Sequence, residues 1–389
     1  MNRRIRRQQV RRNLSRRQFI GRGAAFAGAV ALGPTILAAC GGDDDDDAAG
    51  GSGGGGGNSL HVDNWPLYLD EESAALFEEQ TGISLTYTTV VNDNNEYFAT
   101  IQPSLSSGDK VDADIFVLTG WMAKRLIDLG WVDELPIADV PNAKNLVDSL
   151  VNPAWDPTGK FSLPWQSGLT GIAYNRAAAG RELMSVEDLF DPEFRGKIGF
   201  LLEMNDSLGL VLRADGVDPE NVTFEQAGPA FDRVEAAVAD GQIRQFTGND
   251  YQDDLIAGNF VACVSWSGDV GQLALDEPDL AFVIPDEGGM IWSDTMLMPK
   301  GTENIEAVAE WMNFCYDPVN AARIAAYLGF LSPVQGVQEE LRKSEDTAAL
   351  ADSEVMFPPP TADVLAFNPN LDEEERALFD DRWAEITTG

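Results

Sequence analysis

The sequence predicts an α/β protein of two lobes. Three observations predict it. The chain has 389 residues, more than one ordinary core fills. Of these, 44% are apolar and 9% aromatic, enough for a sizeable interior. Strand and helix signals alternate from Ser59 and start a second series after Pro164.

In the first series Leu60–Trp65 reads as a strand. Asp70–Gln80 reads as a helix, with acids in its first turn, apolar Ala74, Ala75 and Phe77 on one face, and Gly82 as its stop. Ile83–Val91 is β-branched and alternating, a second strand. A helix at Asn95–Leu105, a buried strand at Asp114–Leu118 and a helix at Met122–Leu129 follow, the last ended by Gly130. The second series has strands at Gly171–Asn175, Lys197–Leu202, Asn259–Trp266, Leu280–Ile284 and Thr295–Met298. Its helices are expected at Val186–Phe190, Leu208–Asp215, Phe224–Asp240 and Ile305–Tyr316. Such alternation implies right-handed crossovers and a mostly parallel sheet, with ligands beyond the carboxyl ends of strands or between lobes.

Charge removes several functions. There are 27 Lys and Arg against 64 Asp and Glu, a net charge of −37. Nine of the basic residues are arginines between Arg3 and Arg22, in residues 1–39, which hold no acid. A surface this acidic repels nucleic acid, whose binding needs clustered Lys and Arg. It fits either a hydrated, salt-tolerant surface or attraction of cationic solutes. His61 is the single histidine, which excludes multi-histidine metal sites and every nucleophile–His pair not built on it. The sequence points to no metal and no cofactor. A GxGxxG string in Gly51–Gly56 lies in a glycine tract with neither strand nor helix beside it, and means nothing.

The N-terminus is an address. Ser15-Arg16-Arg17-Gln18-Phe19-Ile20 reads as a twin-arginine export signal, and the charge-free run Gly23–Ala39 suits a signal-peptide core. The run ends in Leu37-Ala38-Ala39-Cys40, which resembles a bacterial lipobox, with Cys40 the residue to be lipidated. Residues 1–39 are therefore expected to be a signal peptide. Residues 40–58, with Asp43–Asp47 and a Gly/Ser tract, form a tether spanning roughly 20–25 Å. A lipid at Cys40 would hold the folded body at the outer face of the cell membrane. Cys263 and Cys315 lie in apolar stretches, a setting that favours two buried thiols over a disulfide.

Several aromatic and acidic residues fall where strands end: Trp65 and Tyr68 after the first, Glu203 and Asp206 after another, Trp266 and Asp269 at a third. Trp292 and Asp294 precede a fourth. Singly, each has a plain reading as core tryptophan or helix cap. Together they describe a groove of three indoles and a phenol with acids at intervals. A slender organic cation fits it. Each buried ammonium needs a carboxylate, and the methylenes between need flat apolar walls. Indole faces add roughly 0.5–2 kcal/mol per well-placed cation. A sugar site would want more Asn, Gln and Arg than the Asn64 and Asn205 of these segments.

These segments resemble the spermidine/putrescine-binding proteins of bacterial polyamine importers, from about Leu60 to the C-terminus. Asn64-Trp65 with Tyr68, Thr81-Gly82-Ile83, Trp266-Ser267-Gly268-Asp269, Glu287-Gly288-Gly289 with Trp292-Ser293-Asp294, Met298-Pro299, Asp317-Pro318 and Gly329-Phe330 occur in that family's order. The resemblance implies a two-lobed, type II periplasmic-binding-protein-like fold with a hinge between lobes. It implies lobes of 59–166 plus 294–337 and of 171–290 plus 338–389, crossed near Ser167–Gly171 and Met290–Trp292, with Cys263 and Cys315 in different lobes.

By the same resemblance Trp65 and Tyr68 wall a pocket, and Glu203 and Asp206 meet one amine end. Trp266 and Trp292 sandwich the methylenes, while Asp269 and Asp294 take the other amines. Phe330 stands where the family has a tyrosine. Leu67, Leu118 and Gly120 are further departures. The implied function is a non-enzymatic, monomeric receptor that delivers putrescine or spermidine to the permease subunits of an ABC importer. Two alternatives are a receptor for another small solute, such as an amino acid or sugar, and an exported glycoside hydrolase using Glu203 and Asp206.

Overall fold

β1 (Ser59–Asp63), α1 (Glu71–Thr81), β2 (Ser84–Thr88), α2 (Asn94–Ser107), β3 (Ile115–Thr119) and α3 (Gly120–Asp128) succeed one another as the first series predicts. This computed structural model describes residues 58–388 apart from 275, 354, 358–364 and 370. The expected signal peptide, Cys40 and the tether up to residue 57 lie outside the described residues. Asp70 caps α1, accepting from the Ser73 N–H, and Gly82 ends it at φ +70°. Asp93 caps α2 in the same way through the Glu96 N–H.

The second half holds β4 (Ser162–Asn175), the short α4 (Arg176–Ala179), a 3-10 turn at Val186–Phe190, β5 (Ile198–Leu201), α5 (Met204–Ala214), α6 (Phe224–Ala239), β6 (Ile243–Thr247) and α7 (Tyr251–Ala257). Then come β7 (Ala262–Trp266), α8 (Ser267–Leu273), β8 (Leu280–Val283), β9 (Gly289–Leu297), α9 (Ile305–Cys315), α10 (Pro318–Leu328), α11 (Val337–Arg342), β10 (Leu365–Phe367) and α12 (Glu373–Thr388). A capping box of Thr223 and Gln226 sets the start of α6.

The sheet order is β2-β1-β3-β9-β4-β7-β5-β6, with β10 on β9 and β8 on β4. The outer strands pair in parallel, β1 with β2 and β3, and β5 with β6 and β7. The mostly parallel expectation fails at the centre. There β9 runs antiparallel to β3 and β4, and β4 antiparallel to β7. β4 is reached from α3 through short 3-10 turns, without the crossover helix that a parallel neighbour needs.

Two hydrophobic cores result, and the two long central strands belong to both. β4 sends Leu163 and Trp165 into the first core, and Ile172, Ala173 and Tyr174 into the second. β9 places Met290 in the second, and Trp292, Met296 and Leu297 in the first. The first core continues past residue 337 through Leu341, Ala351 and Met356. The handover expected at 338 thus comes later, with Ala366 and the α12 residues Phe379, Trp383 and Ile386 in the second core. Cys315 and Cys263 are free, buried and in separate cores. No helix among the described residues is long and apolar enough to cross a membrane.

Candidate functional site

The ends of β1, β3, β5 and β7 and the middle of β9 converge on one cleft of about 550 Å³, its open mouth included. All nine side chains singled out from the sequence for a pocket line it: Trp65, Tyr68, Glu203, Asp206, Trp266, Asp269, Trp292, Asp294 and Phe330. Pro66, Leu67, Asn94, Thr119, Asn249 and Asn368 complete the wall. No Lys, Arg or His is among the described residues that line it.

Each side chain is aimed by local backbone chemistry. Trp65 is fixed by its Nε1–H, which donates to the Val117 carbonyl at 3.0 Å. The turn after it passes through Leu67 at φ +59°, a left-handed conformation that leucine rarely adopts, before Tyr68 enters the cleft. Trp292 and Asp294, two residues apart, share one face of β9. Gly168 lies directly across the ladder from Trp292, and a Cβ there would sit 2.2 Å from the indole. At Gly268 a Cβ would come within 2.5 Å of the Phe330 ring. Both glycines let an aromatic ring lie on bare backbone.

The rings meet edge to face: Trp266 with Trp292 at 6.5 Å, Trp292 with Phe330 at 5.3 Å and Phe330 with Tyr68 at 5.8 Å between centroids. The acids are held by donors that keep them separate. Asp294 accepts from Tyr68 Oη and Thr119 Oγ1, both at 2.8 Å. Asp206, in the first turn of α5, accepts from Thr170 Oγ1 at 2.7 Å and Trp266 Nε1 at 2.8 Å. Asp269, at the start of α8, accepts from Tyr251 Oη at 2.9 Å. Glu203, the residue before α5, accepts from Nδ2 of Asn94, the first residue of α2, at 3.2 Å.

Burial raises the proton affinity of Asp294, Asp206 and Glu203. Asp294 is pushed up to about 7 by desolvation, against the Thr119 and Tyr68 hydrogen bonds. Asp206 is pushed up to about 6 by the same cause, opposed by Trp266 and Thr170. Glu203 lies well above the carboxylate range, first through burial and then through the Asp93 and Asp206 charges. With no cation among the described residues that line the cleft, these buried acids favour their protonated forms.

The sequence pattern that defines the bacterial extracellular solute-binding proteins matches residues 72–352. The chain belongs to that family. Members bind solutes and are not enzymes, so the glycoside hydrolase alternative falls. Over 290 residues the chain is 28% identical to the putrescine-binding periplasmic protein PotF of Escherichia coli K12, covering 69% of this chain and 76% of that protein. It is 22% identical over 302 residues to spermidine/putrescine-binding periplasmic protein 1 of Haemophilus influenzae, covering 77% and 82%. Among solved structures, the putative spermidine/putrescine ABC transporter of Listeria monocytogenes superposes with a TM-score of 0.76 at 25% identity, covering 85% of this chain and 99% of that one. The fold is accordingly the two-lobed type II architecture of periplasmic binding proteins.

Within this family member, three carboxamides at the cleft escaped the sequence reading. Asn249 follows β6 and Asn368 follows β10, two strands that the sequence reading did not identify. Asn94 opens α2 one residue after its cap and also binds Thr119, donating to Oγ1 at 2.9 Å. A carboxamide or hydroxyl at the carboxyl end of a strand is the signal that finds them once every strand is placed. Asn64 and Asn205 do not line the cleft. Asn64 is buried, accepting the Trp65 N–H through Oδ1.

Proposed function

We propose that this protein is a lipid-anchored extracytoplasmic receptor that captures a linear polyamine, putrescine or spermidine, and hands it to the permease subunits of an ABC importer. The observation that carries the reading is the cleft's composition: four carboxylates, three indoles, a phenol and a phenyl, with no cation among the described lining residues. An ammonium between buried carboxylates replaces lost water with opposite charge, and the rings cover the methylenes. The polyamine specificities of the named relatives support the same ligand class.

The mechanism is hinge closure. One lobe is built on 59–166 with 294–356 and the other on 171–290 with 365–388; β4 and β9 cross between them. Tyr68 and Asp294 approach the ligand from the first lobe, and Glu203, Asp206 and Asp269 from the second. Closure without a ligand desolvates the carboxylates with no opposite charge to replace the water, and a dication that touches both sides favours closure by differential contacts. The receptor acts as a monomer, held by a lipid on Cys40.

Calorimetry on residues 58–389 gives micromolar or tighter binding of putrescine or spermidine, and Trp292→Ala weakens it about tenfold through the lost cation–π contact and methylene cover. Wild-type protein that ignores both polyamines would end the reading. Cys40→Ser, expressed with its own leader, leaves the membrane fraction; unchanged retention would refute lipidation.

A further inference from the structure

Behind the cleft, lining no part of it, stands a buried cation. Arg376 lies one turn into α12 with its side chain only 5% exposed. Its Nη1 donates to Asn205 Oδ1 at 3.2 Å, and Asn205 Nδ2 donates to Glu203 Oε1 at 3.4 Å. A carboxamide has one acceptor oxygen and one donor nitrogen. A guanidinium on the oxygen therefore leaves the nitrogen facing the Glu203 carboxylate. The second Glu203 oxygen accepts from Asn94 of α2, a helix that packs on the first core. On its other side the guanidinium carbon is 4.5 Å from the ring centre of Trp121, which belongs to α3 and the first core. One turn earlier Glu373 receives two hydrogen bonds from Arg125 of α3, at 2.7 and 3.1 Å. The second-core helix α12 thus grips first-core helix α3 at the back of one cleft carboxylate.

We propose that Arg376 is a positioning residue for the amine-binding end of the cleft, holding Glu203 ready through the Asn205 carboxamide and docking on Trp121 when the lobes meet. The inference rests on the amine reading of the cleft. Asp380, one turn along α12, is the obvious structural partner, but its oxygen is 3.9 Å away, farther than Asn205. Glu203 is faced by Asp93, Asp206, Asn94 and Arg376. Arg376 is faced by Asp380, Glu203, Glu373 and Arg125. Without the guanidinium, Glu203 keeps two like charges and loses the cation that lowers its proton affinity, so it holds its proton more tightly against an incoming ammonium.

Two measurements test this. Carboxyl carbon NMR of ligand-free protein follows the Glu203 titration, its signal assigned by loss in Glu203→Gln. The midpoint moves up in Arg376→Gln and Asn205→Ala and stays put in Trp121→Leu. Calorimetry with putrescine at pH 7 finds Arg376→Gln and Asn205→Ala binding about tenfold more weakly. Arg376→Lys restores the titration midpoint but not the affinity, because an ammonium lacks the planar fork that grips Asn205 while lying on Trp121.

An unchanged midpoint together with unchanged affinity in both Arg376→Gln and Asn205→Ala would overturn the proposal and leave Arg376 a packing partner of Asp380 and Trp121. Should Arg376→Gln fail to fold, Asn205→Ala removes no charge and decides alone. Wild-type protein that binds no putrescine sinks the amine reading, while the NMR titration still decides the positioning role.

Discussion

Asp294→Asn binds putrescine about thirtyfold or more weakly than the wild type, while the ligand-free protein melts higher at pH 8. The carboxylate is buried at the meeting of β9 and β3, across the ladder from Thr119. Removing one charge from a desolvated, hydrogen-bonded pair costs about 2–5 kcal/mol, and thirtyfold corresponds to about 2 kcal/mol. Asparagine has the same shape. Its oxygen accepts from Tyr68, and the Thr119 hydroxyl turns to accept from its nitrogen, so the geometry survives.

The stability change has the opposite sign. Burial raises Asp294 from 3.8 to about 7, so the folded state holds a proton that the unfolded state has released. Stability from this group is full below its unfolded value and lost as pH rises through the folded one. At pH 8 the wild type carries that penalty and the asparagine variant does not. Calorimetric titration and thermal melting at pH 8 read the two effects separately. Unchanged affinity would remove Asp294 from the ligand's path.

Most of the aromatic and acidic half of the site was legible because those residues lie beside or within segments with a strong strand signal. Trp65, Trp266 and Asp294 border segments whose β-branched and apolar runs mark them plainly. Asn249 and Asn368 stand after strands of the opposite kind. Ile243–Thr247 carries Arg244 and Gln245 at a sheet edge, and Leu365–Phe367 is three residues long. Neither has enough periodicity to read.

Pro164 misled in another way. A proline lacks the N–H for a ladder and reads as a boundary, yet β4 runs through it on a register shift between Pro164 and Gln166. The Pro164 carbonyl still accepts from Tyr316 Oη at 2.6 Å. That irregularity hid nine residues of the strand joining the two cores, and with them the antiparallel centre of the sheet. Arg376 was invisible for a different reason. Its partners Trp121 and Asn205 are distant in sequence, and its neighbours along the chain are the acids Glu373, Glu374 and Glu375.

Affinity for putrescine falls by about two to three orders of magnitude between pH 8 and pH 5, and the fall comes from the acids. The ligand's ammonium groups, titrating near the lysine value of about 10.4, stay charged throughout. Asp294 near 7 and Asp206 near 6 must both be ionised to receive them. Below pH 7 the first contributes about a tenfold loss per unit, and below pH 6 the second adds its own. Glu203, raised by burial and by Asp93 and Asp206, steepens the curve. Binding at pH 6 therefore releases protons, which calorimetry in buffers of different ionisation enthalpy counts directly. The empty protein behaves oppositely: acids raised above their unfolded values make it more stable as pH drops from 7 toward 4. One acidification thus strengthens the ligand-free fold and weakens the complex, whereas general acid unfolding would weaken both. Flat affinity down to pH 5 would mean that Asp206 and Asp294 are already ionised in the free protein, hence solvated in an open cleft before the ligand arrives.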